Sequence, residues 1–117
     1  MKENPKEHRR GLITEAELRR AFTFFNKYYF DGKLHNPYEI KFKKLASNDG
    51  ASKRCDRGYY IHIEEGLRRF PNFAIITLLH EMAHVARQDI MYPDGHGMQY
   101  SAEIIRLFNA GAYEGLL

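Results

Sequence analysis

Apolar residues recur along this chain at two spacings, helical and alternating, with polar breaks between the stretches. Leu18, Phe22, Phe25 and Tyr29 stand three or four apart, which predicts an amphipathic helix over about residues 15 to 30. The "TEAE" before it reads as a capping box, with Thr14 at the N-cap and Glu17 reaching back, each satisfying an orphan amide. Asp31-Gly32 is a turn signal and Pro37 forbids helix nearby. Tyr38, Ile40 and Phe42 then alternate with polar residues, the pattern of a half-buried strand. "SNDG" reads as a loop, and a shorter strand is expected near residues 51 to 55. In "GYYIHIEEG" the alternation returns, with Tyr59, Ile61 and Ile63 on one face and Tyr60, His62 and Glu64 on the other.

A second helix begins around Pro71-Asn72, where proline suits a first turn, and runs to about Gln88. "YPDGHG" breaks the chain, and a last helix covers about residues 98 to 108 with Tyr100, Ile104 and Leu107 on one face. The order helix, strands, helix, helix predicts an α+β fold: a small sheet of about three strands packed by three helices. Residues 1 to 12 lack apolar periodicity and read as a flexible tail, leaving residues 13 to 117 as the folded unit. At 117 residues, two separate cores would each be too small to stand alone.

Composition changes this picture little. No run of about 18 apolar residues exists, so no membrane span is expected. The polar start "MKENPKEHRRGL" has no apolar segment of a secretory signal. Cys55 is the only cysteine, which excludes an internal disulfide or a cysteine-based zinc ribbon and fits a reducing, cytoplasmic setting. The net charge of +3 comes with basic pairs such as Lys43-Lys44, Lys53-Arg54 and Arg68-Arg69. Clustered cations are one way to meet nucleic acid, single-stranded DNA included. The 15 interspersed acidic residues equally fit an ordinary solvated surface.

The chemistry concentrates in "LLHEMAHVARQDIMYPDGHGMQY", residues 78 to 100. His80 and His84 are four apart, so a helix projects them about 40° from each other, where both imidazoles reach one metal ion. Ile75, Leu79, Met82 and Ala86 project to the opposite, core-facing side. Glu81 lies about 100° from His80, beside the metal position, where a general base for a zinc-activated water belongs. Surface histidines also fall four apart by chance, but here the phase matches the amphipathic helix.

A third ligand is needed, and two candidates differ in kind. His96 sits between Gly95 and Gly97, which let the backbone bring an imidazole close to a metal. Glu103, on the last helix, is the rival, with a solvated surface acid as its plainer reading. The metzincin arrangement is excluded, since no glycine and third histidine follow directly after His84.

Taken together, these segments resemble the SprT-like (Spartan/SprT) zinc metalloprotease domain family. "FNKYYFDGKL" is similar to that family's opening helix and its exit. "GASKRCDRGYYIHI" stands where the strand before the catalytic helix is led in. "ITLLHEMAHVA" resembles the helix itself, and "GHGMQY" the Gly-His-Gly element that follows. The resemblance covers about residues 18 to 108 and implies a minimal zincin-like fold. It also implies His80, His84 and His96 as Zn²⁺ ligands and Glu81 as the catalytic base. Tyr100, at the family's aromatic position, is then expected to pack the last helix against the HEMAH helix.

The implied activity is endopeptidase cleavage of protein or peptide substrates, DNA-crosslinked proteins among them. Many family members carry a zinc ribbon or DNA-binding segment after this domain. With a single cysteine and no such ribbon here, DNA contact is expected through the domain's own basic surface. Tyr92, Tyr113 and the arginines are candidates for stabilising the oxyanion. The substrate is expected along an edge strand, either "YYIHI" or the strand before it. His62 on "YYIHI" is expected to be an exposed strand histidine. The competing classes are a non-catalytic zinc-stabilised binding domain and a small DNA-independent peptidase.

Overall fold

The computed structural model describes residues 11–87 and 98–117. Residues 1–10 of the expected tail, and the "YPDGHG" break, lie outside the described residues.

Helix α1 spans Glu15–Tyr29 and starts at the expected box. The Glu17 amide donates to Thr14 Oγ1 at 3.1 Å, and the Thr14 amide donates to Glu17 Oε1 at 2.9 Å. Its Leu18, Ala21, Phe22 and Phe25 are buried, the stripe that the periodicity predicts. The exit turns through Asp31 at φ 55° and Gly32 at φ 69°, a left-handed pair that aspartate and glycine tolerate. Asn26 clamps this turn, its side chain bonded to both the amide and the carbonyl of Leu34 at 3.0 Å.

Three strands follow: β1 Glu39–Lys43, β2 Gly50–Cys55 and β3 Gly58–Glu64. Their order is β1-β3-β2, with β3 parallel to β1 and antiparallel to β2. The connection from β1 to β2 therefore crosses the end of β3, and Glu64 holds it there. Its carboxylate accepts from the Leu45 and Gly66 amides, both at 2.8 Å, and its own amide donates to the Asp49 carbonyl at 2.7 Å. Those two amides, Gly66 first and Leu45 second, hold the Glu64 carboxyl below its ordinary value.

A short 3-10 helix at Glu65–Arg69, not foreseen in the sequence pattern, leads to α2 at Pro71–Arg87. Helix α3 covers Met98–Asn109. The core lies on one face of the sheet, where Tyr59, Ile61 and Ile63 of β3 join Phe22 and Phe25 of α1 and Leu78, Leu79 and Met82 of α2. The observed β2 begins at Gly50, one residue earlier than expected, so the last residue of "SNDG" is already strand. No described helix is long and apolar enough to cross a membrane.

Candidate active site

Helix α2 divides into two faces. Ala74, Ile75, Leu78, Leu79, Met82 and Ala83 are buried in the core, and Ala86 is partly buried beside them. His80 and His84 are half-buried on the opposite side and line a cleft of about 1440 Å³, shared with Gly50, Ser52, Thr77 and Glu81. Their ring centroids are 5.7 Å apart and their planes cross at 74°. Two imidazoles bound to one tetrahedral Zn²⁺ at about 2.0–2.1 Å put their centroids roughly 5 Å apart. The pair therefore fits as two ligands of such an ion.

Tyr100 of α3 fixes this pair from the side. Its ring stacks on His84, centroids 4.0 Å apart and planes within 13°, and meets His80 edge-on at 5.2 Å. The expected packing role of Tyr100 is met, with both histidines as its partners. Burial, then the neighbouring Tyr113 and Glu81, pushes the Tyr100 hydroxyl well above the ordinary tyrosine value. Burial alone pushes Tyr113 up to about 12. Both phenols therefore stay protonated through neutral pH.

Glu81 is only 6% exposed, seated between α2 and the start of β2. A methyl group built on Gly50 would stand 3.1 Å from Glu81 Oε2 and 2.7 Å from the Thr77 Cγ2. This glycine escapes a sequence reading because its significance depends on how β2 lies against α2.

The expectation of a solvated Glu103 is corrected by the structure. Glu103 is 3% exposed, and both carboxylate oxygens are taken by guanidinium groups. Arg87 Nη2 and Arg106 Nε donate to Oε1 at 3.1 Å, and Arg106 Nη2 donates to Oε2 at 2.7 Å. Arg106 also donates to the Tyr29 carbonyl at 2.6 Å, so one buried carboxylate ties α3 to α2 and to the end of α1. A carboxylate committed to two cations is a poor donor for a metal, which weakens the case for Glu103 as third ligand.

His96 and Tyr92 lie outside the described residues. Among the described residues no group of three His, Cys, Asp or Glu side chains is arranged around one metal position. His62 stands apart from the cleft. The expected exposed histidine is in fact covered: 15% of its side chain is exposed, Nε2 lies 2.6 Å from Glu39 Oε2, and its ring stacks on Tyr60 at 4.0 Å.

The strand order decides which strand can receive a peptide. β3 is central, so "YYIHI" cannot be the open edge, and that expectation is corrected; among the described residues β2, the strand before it, is an edge and lines the cleft. The ladder has a readable phase. The Glu64 amide bonds the Asp49 carbonyl, which makes the register pair Gly50–Ile63 a non-hydrogen-bonded one. Gly50, Ser52 and Arg54 therefore aim their own amides and carbonyls away from β3, outward from the sheet. No known family pattern matches the chain, and no curated protein is detectably similar to it in sequence.

Proposed function

We propose that the chain is a zinc-dependent endopeptidase of the SprT-like type. The observation that supports this most strongly is one cleft holding the His80–His84 pair, the Glu81 carboxylate and the open edge of β2. His80 and His84 are two ligands, and His96 is the third by the resemblance of "GHGMQY" to the family's element. When bound, Zn²⁺ supplies a Lewis acid that polarises the scissile carbonyl and brings a water's pKa to roughly 7.

The rest is done by the chain. A substrate strand pairs with the outward amides and carbonyls of Gly50 and Ser52, which need no particular side-chain sequence. Glu81 takes a proton from the attacking water and delivers it to the leaving amine nitrogen. The carboxylate is almost fully withdrawn from bulk water, in the cleft wall between α2 and the start of β2. Tyr100 keeps both imidazole planes oriented. Exposed basic residues on β1 and β2, such as Lys43 and Lys53, give a surface suited to single-stranded DNA, so DNA-associated proteins are the proposed substrates. The lone, exposed Cys55 fits a cytoplasmic setting.

Zinc-loaded wild type and Glu81→Gln, incubated with unfolded casein, test this reading. The expected result is cleavage by wild type only, with equal zinc in both proteins. Equal zinc without cleavage in either would favour a non-catalytic zinc-stabilised binding domain.

A further inference from the structure

Gly50 opens β2 at the point where the strand passes the base. Its φ lies outside the left-handed region, so backbone conformation does not require glycine there. Space does. An added Cβ would meet the Thr77 methyl at 2.7 Å, Glu81 Oε2 at 3.1 Å and Glu81 Cγ at 3.2 Å. Thr77 has little room to yield: it is β-branched on a helix, and its hydroxyl donates to the Phe73 carbonyl at 2.8 Å, which holds the rotamer. A side chain at position 50 would therefore press on the Glu81 carboxylate or drive β2 away from α2. The backbone of this same residue faces outward along the edge offered to a substrate.

We infer that Gly50 is a positioning residue for the reaction. Its missing side chain seats the Glu81 carboxylate and keeps the edge strand close enough that a peptide paired to it presents its carbonyl beside Glu81. The histidines are not part of this seat, so it governs the base and the substrate register, not metal retention. The inference rests on the reading of Glu81 as base.

Gly50→Ala, Thr77→Ser and the double variant test it, because Thr77→Ser removes the obstructing methyl and keeps the hydroxyl. Three quantities are read: zinc per chain, thermal midpoint, and kcat with KM on an unfolded substrate. Gly50→Ala is expected to keep its zinc, to melt several degrees lower, and to lose kcat at least tenfold with KM changed less than threefold. The double variant should recover part of both the midpoint and kcat relative to Gly50→Ala. An unchanged kcat in Gly50→Ala would overturn the inference, as would a loss that Thr77→Ser fails to relieve, or one that follows loss of zinc. If the wild type does not cleave at all, the peptidase reading fails. The melting cycle then still judges the seat: strain not relieved by Thr77→Ser overturns it, and relief upholds it as a structural seat for Glu81.

Discussion

The ring of Tyr100 lies flat on that of His84, centroids 4.0 Å apart and planes within 13°, so α3 sets the orientation of an imidazole carried by α2. Metal-site residues one layer behind the ligands commonly tune affinity. An aromatic pair of this kind contributes about 0.5–1.5 kcal/mol, or roughly a two- to twelvefold change in binding. Tyr100→Leu should weaken zinc binding by that factor in a competition titration, and Tyr100→Phe, which keeps the ring, should stay close to wild type. Equal affinity in all three proteins would mean the stack does not act on the site.

Glu103 is predicted to serve stability. Removing it leaves Arg87 and Arg106 without their anion, but their side chains are 42% and 44% exposed and can regain water. The loss in Glu103→Ala should therefore be about 1–3 kcal/mol, below the 3–5 kcal/mol of a fully buried broken pair. Burial pushes the Glu103 carboxyl up, but the bonds and charges of Arg106 and Arg87 together outweigh it and hold the group below its ordinary value. A carboxyl depressed in the folded state contributes stability above its unfolded pKa, about 4.3, and loses it as pH falls through the folded value. Urea midpoints measured between pH 7 and pH 3 should fall less steeply for Glu103→Gln than for wild type.

Ser52 points its amide outward from the sheet, while Ala51 in the next register pair points inward to β3. Proline removes an amide, which an edge strand tolerates on its outer side only. Ser52→Pro should stay folded and raise KM about two- to tenfold, the effect of one lost hydrogen bond. Ala51→Pro should lower the melting point instead. A Ser52→Pro protein with wild-type KM would remove β2 as the substrate edge.

His62 is predicted to have no part in the chemistry. It bonds Glu39 on the sheet face opposite the core, and that bond is the first cause holding the Glu39 carboxyl below its ordinary value. His62→Gln should leave zinc content and cleavage unchanged while the Glu39 carboxyl titrates at higher pH by ¹³C NMR. Reduced zinc in His62→Gln would give it a role that its position in the sheet does not suggest.

Local signals were readable in the residues because they act within a few positions. The capping box of Thr14 and Glu17, the apolar stripe of α1 and the two-faced α2 all depend on spacing alone. The pairing of His80 with His84 is local in the same way. What escaped is non-local. That β3 lies between β1 and β2 follows from a crossing pinned at Glu64, and nothing in the alternation of "YYIHI" distinguishes a central strand from an edge. Glu103 looked like a surface acid because one of its partners, Arg87, reaches it only after α3 docks on α2. Gly50 read as the end of a loop because its contact with Thr77 and Glu81 exists only once the sheet meets the helix.

The most direct test of the central claim is zinc per chain, measured by elemental analysis for wild type, His96→Ala and Glu103→Ala. Near one zinc per chain is expected in wild type and in Glu103→Ala, and a large loss in His96→Ala. Loss of zinc in Glu103→Ala with retention in His96→Ala would contradict that claim, replacing three histidines by a two-histidine, one-carboxylate site and removing the SprT-like reading.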